Sequence, residues 1–111
     1  MRRRGPTLGR YSVMFSTTKD RPEAERIAGL LVGQGLAACV QLMPIDSVYM
    51  WQGKIETSGE ILMLIKTRSD HVDKAVLAIK AAHSYETPEI VAVSIQTGFA
   101  KYFAWIDEVT S

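Results

Sequence analysis

Cysteine is nearly absent from this sequence, and long apolar runs are absent altogether. Among 111 residues there is one cysteine, Cys39, so no disulfide can form within the chain and secretion gains no support. No apolar run approaches the ~20 residues that a membrane span requires. No hydrophobic stretch follows the N-terminal arginines, as it would in a secretory signal. We therefore expect a cytoplasmic protein with no membrane partner.

An excess of either charge is also missing. Thirteen basic against twelve acidic residues leave a net charge of +1, so no global field attracts nucleic acid. Residues 1–10 hold four of the arginines and are interpreted as a flexible basic leader, with a phosphate-binding arm as the alternative. Residues 11–111 are predicted to form a single domain, because the chain is 47% hydrophobic and 23% charged, as globular proteins are.

The first third of the domain has the pattern of a strand followed by a helix. Tyr11–Thr17 is rich in β-branched and aromatic residues and predicts a strand. Asp20, with Glu23 three residues later, resembles a capping box. The apolar residues that follow recur at helical spacing, namely Ala24, Ile27, Ala28 and Leu31. The helix is expected to end near Gly33–Gly35.

Two extended stretches follow, joined by a turn at Gln52–Gly53. The first runs from Ala37 to about Trp51 and contains Pro44, which cannot donate to a sheet ladder and so marks a bulge or an edge strand. The second includes Glu60–Thr67, which is nearly all apolar at its centre, as in a strand covered on both faces.

The remaining segments complete a mixed α+β pattern. A helix is predicted from Asp70 to Ala82 with Ser69 as its cap, then a strand at Ile90–Ile95 and a helix at Ala100–Val109. With right-handed crossovers, this order predicts a ferredoxin-like βαββαβ sandwich with an extended hairpin between the second and third strands and an added C-terminal helix.

The predicted sheet has more apolar surface than its own helices can cover. Two helices shield one side, yet both alternating positions of the third strand are apolar, from Ile61 to Ile65. A lone domain would expose an apolar face on the order of several hundred Å², more than soluble monomers usually tolerate. We therefore expect other subunits to cover this face.

The densest cluster of functional side chains is the loop of residues 83–89, with the sequence HSYETPE. Its imidazole, phenol and carboxylates could act as metal ligands or as an acid–base pair. The alternative is a solvated loop in which His83 ends the preceding helix favourably. No nucleophile or set of oxyanion donors accompanies the cluster, so we predict that the chain is not an enzyme.

Cys39 and two charged residues are further candidates. Cys39 is either a small buried hydrophobe or a soft-metal ligand, since thiolate and imidazole together favour copper(I) or zinc. Its spacing from His83 matches no zinc-finger pattern, so the fold or two subunits would have to build a shared site. Glu60 and Lys66 are six residues apart in one strand and point to the same face, either as edge charges or as the lining of a cavity between subunits.

Several segments, read in order, resemble the CutA family, the divalent-cation tolerance proteins. The resemblance runs from about Tyr11 to the C-terminus. It is carried by LAACV at residues 36–40, Y-x-W-x-G-K at 49–54, H-x-Y-E-x-P-E-I at 83–90 and Y-x-x-W at 102–105.

The resemblance implies a ferredoxin-like fold, a tight homotrimer closed by the long hairpins, and likeness to PII signalling proteins. It also implies a role in tolerance of divalent metals, especially copper. We expect that no cofactor is required, with Cu²⁺ or another divalent metal as the candidate bound ion. By position it makes Cys39 and His83 the metal ligands. It places five residues near the cleft between subunits, namely Trp51, Glu60, Lys66, Tyr85 and Glu89. The alternative function is a PII-like sensor or scaffold that binds a small molecule or a protein in this cleft.

Two positions depart from the family pattern. Ser84 stands where the family commonly has proline, which is expected to loosen the loop that holds His83. Ser16 stands where some copper-binding members have a second cysteine. Because serine is a poor ligand for a soft metal, this second departure argues against tight copper binding.

Overall fold

Four strands and three α-helices follow one another in the computed structural model, which describes residues 9–111. In chain order the elements are β1 (Tyr11–Thr18), α1 (Arg21–Gly33), β2 (Cys39–Trp51), β3 (Lys54–Arg68), α2 (Val72–Ala82), β4 (Ile90–Ser94) and α3 (Ala100–Val109). The predicted order is confirmed. The expected leader lies almost wholly outside the described residues.

The strands form one antiparallel sheet in the order β2-β3-β1-β4. This is the arrangement of a ferredoxin-like sandwich, and the fold prediction is confirmed. The register between β2 and β3 is unbroken from the Cys39–Lys66 pair to the Trp51–Lys54 pair. Pro44 therefore marks an edge strand rather than a bulge, because β2 is outermost and its ladder has no inserted residue.

One face of the sheet packs against α1 and α2 and forms the core. Alternation along β3 sends Met63 and Ile65 towards the helices, where both are fully buried. Each such side chain contributes about 1.5–3 kcal/mol on burial. The fully buried residues that meet them are Met14, Ala24, Ile27, Leu31, Ala75 and Ile79.

The ends of α1 are capped as the sequence predicts. Asp20 Oδ1 accepts the Glu23 N–H at 3.0 Å. At the other end Gly35 has a φ of 71°, and the Leu36 N–H donates to the Leu31 carbonyl at 2.9 Å, as in a Schellman motif. Glycine is required because its left-handed conformation turns the chain back towards the sheet.

The start of α2 differs from the prediction. Ser69 begins a short 3-10 turn, Ser69–His71, and the residue before the helix is His71, which makes no capping bond. The hydroxyl of Ser69 lies 2.6 Å from that of Ser12 on β1 instead. The prediction that Ser69 caps the helix is wrong, because a partner on a distant strand takes its hydroxyl.

Beyond the sheet, β2 and β3 continue as a two-stranded ribbon, the hairpin arm (residues 45–51 and 54–60). β1 pairs with β3 only as far as Ile61, so among the described residues no third strand lies along the arm. Its loop, Gln52 and Gly53, has positive φ at both residues, as in a type I′ turn. The large apolar residues of the arm that are exposed include Val48, Met50, Trp51 and Ile55.

The other side of the sheet, the open face, is largely uncovered by residues 9–111. The register places on it Val13, Phe15, Cys39, Gln41, Met43, Leu62, Leu64, Lys66, Val91 and Val93. Val91 and Val93 are each 51% exposed. α3 covers one end, where Phe103 stacks on Tyr11 with ring centroids 4.4 Å apart. Within residues 9–111, no helix has both the length and the apolar composition needed to cross a bilayer.

Candidate functional site

The imidazole of His83 lies inside the fold at the end of α2. Its side chain is 0% exposed. Nε2 is 2.7 Å from the Thr17 carbonyl oxygen, and Nδ1 is 3.0 Å from the Tyr85 backbone nitrogen. A carbonyl only accepts and a backbone N–H only donates, so Nε2 carries the proton and Nδ1 accepts. Both nitrogens of a neutral ring are thus bonded to backbone groups.

A buried carboxylate, Glu23, ties the first turn of α1 to the loop after α2. Its side chain is 2% exposed. Oε2 accepts the Ser84 N–H at 2.7 Å and Oε1 accepts the Lys19 N–H at 3.4 Å. Burial acts to raise the pKa of Glu23, but the hydrogen bonds from Ser84 and Lys19 outweigh it and hold that pKa below its ordinary value. The group is therefore an ionised acceptor.

Glu23 is a residue that the sequence reasoning treated only as part of a cap. A signal was available, because Glu23 precedes Ile27 by four residues and so lies on the buried stripe of α1. A buried charged residue needs hydrogen-bond partners. For Glu23 these are the backbone N–H groups of Ser84 and Lys19.

Tyr85 and Glu60, two of the residues that the resemblance assigns to one cleft, lie in contact within the single chain. The Tyr85 hydroxyl donates to Glu60 Oε2 at 2.8 Å. Burial, and then the hydrogen bond to the Glu60 carboxylate, raise the pKa of the Tyr85 phenol well above its ordinary value. The phenol therefore stays protonated and acts as a donor at neutral pH.

The other expected cleft residues lie elsewhere in a single chain. Lys66 shares the open face with Glu60 but is six residues away, about 20 Å along the strand, and its Nζ donates to the Gln41 side chain. Trp51 is 55% exposed at the end of the hairpin arm. Glu89 is exposed, and its backbone carbonyl accepts the Ser16 hydroxyl at 2.7 Å.

The two expected metal ligands are also apart. Cys39 is half-buried on the open face, opposite Lys66, whereas His83 lies against Thr17. Cys39 lies two strands away from Val13 on β1, and Thr17 is four residues further along β1. These two offsets correspond to a separation of about 16 Å. No cluster of three or more His, Cys, Asp or Glu suited to a metal ion occurs in residues 9–111. The pair does not fit a metal ion held within one chain, and its role as ligands stays a prediction.

The structure shows what surrounds Ser84 and Ser16, the two residues that depart from the family pattern. The N–H of Ser84, which a proline would lack, is the group that Glu23 binds. Serine at this position therefore adds a contact, and the expectation that it loosens the loop is not supported. Ser16 is fully buried with its hydroxyl on the Glu89 carbonyl, and alternation along β1 turns it away from the open face.

Comparison with known proteins agrees with this fold. The family model of the CutA1 divalent ion tolerance protein matches residues 12–109. This chain belongs to the CutA family. The CutA divalent-cation tolerance protein of Archaeoglobus fulgidus is 43% identical over 98 residues, which cover 88% of this chain and 96% of that protein.

Longer CutA relatives match over part of their length. Protein CutA of Mus musculus is 40% identical over 107 residues, 96% of this chain and 60% of its own. The chloroplastic protein CutA 1 of Oryza sativa is 39% identical over 99 residues, 88% of this chain and 56% of its own. The chain thus spans little more than half the length of these two relatives.

Solved CutA structures share the whole fold. The Archaeoglobus fulgidus structure superposes with a TM-score of 0.90 at 42% identity, covering 91% of this chain and 99% of its own. CutA of Xylella fastidiosa superposes with a TM-score of 0.90 at 43% identity, covering 93% of this chain and 100% of its own. The Archaeoglobus fulgidus protein is described as periplasmic and the Oryza sativa protein as chloroplastic. The prediction of a cytoplasmic location is therefore not confirmed. The family is named for divalent-ion tolerance and not for an enzymatic reaction.

Proposed function

We propose that this CutA chain works in divalent-cation tolerance as a homotrimeric binding protein whose ligand clefts form where subunits meet. The observation that carries the proposal is the open face. Val91 and Val93 are half exposed there, and Met43 is 46% exposed. An apolar sheet face of this kind marks an interaction surface in a soluble protein.

The hairpin arm supports the same assembly. A two-stranded ribbon is marginally stable on its own, and this one has Val48 and Ile55 about 70% exposed. In the described part of the chain, β2 also leaves one edge of the sheet unpaired, which favours pairing with another chain. An arm packed on the neighbouring subunit is a head-to-tail contact, and such contacts close into rings when the rotation allows. The number three rests on the family resemblance.

The ligand class proposed for the clefts is a divalent metal ion, Cu²⁺ or another. Cys39 is the soft donor that the open face offers, and Lys66 lies directly opposite it on β3. Covering the open face with another subunit would bring a second set of side chains to these residues. The ion is the bound cargo, and the fold requires no cofactor.

The assembly is tested by sedimentation of the wild-type chain at micromolar concentration. We expect a particle of three chains, and a stable monomer of 12.3 kDa contradicts the proposal. The metal part is tested by calorimetry with Cu²⁺ and Zn²⁺ on the wild type, on Cys39→Ser and on the control His71→Gln, which lies outside the candidate residues. Loss of affinity is expected in Cys39→Ser alone, and equal affinity in all three rejects Cys39 as a ligand.

A further inference from the structure

We infer that His83 is a structural lock for the loop of residues 83–89 and not a ligand for a divalent metal, with Glu23 as a positioning residue beside it. The inference departs from the ligand assignment that the family resemblance implies. It concerns the bonding of this chain's own residues and holds whether or not the chain binds a metal ion.

The first reason is that the ring has no free lone pair. A metal ion binds an unprotonated ring nitrogen. Nδ1 of His83 uses its lone pair on the Tyr85 N–H at 3.0 Å, while the proton on Nε2 is donated to the Thr17 carbonyl at 2.7 Å. Binding a metal through either nitrogen would leave one of these backbone groups without its partner, which is costly inside a protein.

The second reason is the position of the ring. The His83 side chain is 0% exposed, and the Tyr85 ring lies beside it with centroids 4.8 Å apart. The nearest carboxylate, Glu23, has Oε2 3.9 Å from Nδ1, but its oxygens accept the N–H groups of Ser84 and Lys19. The atoms that would have to coordinate the ion, His83 Nδ1 and the Glu23 oxygens, already accept hydrogen bonds from backbone N–H groups.

The third reason is the geometry that these bonds impose on the loop. An acceptor on residue i that binds the N–H of residue i+2 is the arrangement that Asn and Asp make in turns, and His83 makes it with Tyr85. Glu23 binds the amide between them, that of Ser84. Two successive amides are thus fixed by two buried side chains, which directs the Tyr85 hydroxyl to Glu60.

Two conservative variants separate the two bonds of the ring. His83→Asn keeps an acceptor for the Tyr85 N–H but is too short for the Thr17 carbonyl. His83→Gln can reach that carbonyl but loses the acceptor near Tyr85. His71→Gln is the matched control, because His71 is the other histidine of the chain and its ring bonds the Thr110 carbonyl, away from the loop.

The lock is measured by amide hydrogen exchange, resolved by NMR. In His83→Gln we expect the Tyr85 amide to exchange about tenfold faster, as for one lost hydrogen bond, while His83→Asn and His71→Gln leave it near the wild-type rate. Glu23→Gln should speed exchange at Ser84, because a charge-assisted bond is lost. Unchanged exchange of Tyr85 in His83→Gln, or of Ser84 in Glu23→Gln, overturns the lock.

Metal binding is measured on the same proteins with Zn²⁺, by calorimetry and by ¹⁵N spectra of the two imidazoles. We expect both His83 variants to bind Zn²⁺ within about twofold of the wild type, and the His83 ring signals to keep the Nε2–H pattern when Zn²⁺ is added. A stoichiometric shift of those signals, or a large loss of affinity in His83→Asn, overturns the inference. If the wild type binds no Zn²⁺ or Cu²⁺, the metal part of the proposed function fails, and the exchange rates alone decide on the lock.

Discussion

Gln52 holds a backbone conformation that its side chain disfavours. It has a φ of 50° in the two-residue loop of the hairpin arm, next to Gly53 at 79°. Asn tolerates the left-handed region better than Gln, and Asn-Gly is the preferred pair of a type I′ turn. We therefore expect Gln52→Asn to raise the free energy of unfolding by about 0.5 kcal/mol, measured by urea denaturation.

The adjacent glycine provides the control for this substitution. No heavy atom of residues 9–111 lies within 4 Å of a Cβ built on Gly53, so a new methyl group meets none of them. Gly53→Ala should therefore destabilise the protein only through its positive φ. A stabilising Gly53→Ala, or a destabilising Gln52→Asn, would contradict this account of the turn.

A second residue-scale prediction concerns pH. Arg68 Nε donates to Asp70 Oδ1 at 3.0 Å, and this bond, opposed in part by burial, holds the pKa of Asp70 below its ordinary value of 3.8. A folded pKa below the unfolded one gives stability that is present above the ordinary pKa and lost as the pH falls through the folded pKa. The Asp70 side chain is 62% exposed, so solvent screens the pair.

The test compares Asp70→Asn with the wild type. At neutral pH we expect the variant to be less stable by under about 1 kcal/mol. The difference should shrink in high salt and disappear as the pH is lowered below the ordinary aspartate range. It is read from thermal unfolding across that range, and a difference that grows on acidification would refute the sign.

At the scale of elements, the docking of α3 depends on a close approach. A Cβ on Gly98 would lie 2.7 Å from Cζ of Phe103, the ring that stacks on Tyr11. Gly98→Ala should push this ring away and destabilise the protein by about 1–3 kcal/mol. Thermal unfolding measures the loss, and NMR signals of Tyr11 should shift with it.

The matched control is Gly29→Ala in α1, where an added Cβ has no atom of the described residues within 4 Å. Alanine has the higher helix propensity, so this variant should be more stable by about 0.5–1 kcal/mol. Equal effects of the two substitutions would show that the contact with Phe103 has no energetic weight.

The elements themselves were predictable because their signals are local. The apolar spacing of α1, its Asp20 cap and the period-two strands are set by neighbours in sequence, and the structure confirms them. The prediction that Ser69 caps α2 was wrong because its hydroxyl bonds that of Ser12 on β1.

The candidate site was predictable only in part. Residues 83–89 were identified by composition, but the bonding of both His83 nitrogens depends on the end of β1 and on the loop's own backbone. Glu23 was missed as a site residue because its partner at Ser84 is 61 residues away. The separation of Cys39 from His83 follows from strand register, which sequence spacing does not reveal.

For the molecule as a whole, the open face predicts how assembly can be broken. Val93 is 51% exposed on the open face, in the outer strand β4. Val93→Lys should leave the single chain folded but weaken association by at least about tenfold, since an unpaired charge would be buried between subunits. Sedimentation measures the shift towards monomer.

Leu77 offers the control for Val93, because it is 70% exposed on α2, away from the open face. Leu77→Lys should sediment like the wild type. If Val93→Lys and Leu77→Lys associate equally well, the open face is not the surface through which subunits meet.

In the proposed assembly, part of each chain's order depends on its neighbours, because no third strand of the described residues lies along the hairpin arm. Stability should then rise with protein concentration, as in any folding step linked to association. Trp51, at the arm's end, is a natural fluorescent reporter of that linkage. The tryptophan emission, to which Trp51 and Trp105 both contribute, should move to longer wavelength on dilution, when the proposed neighbour no longer shields the Trp51 indole from water.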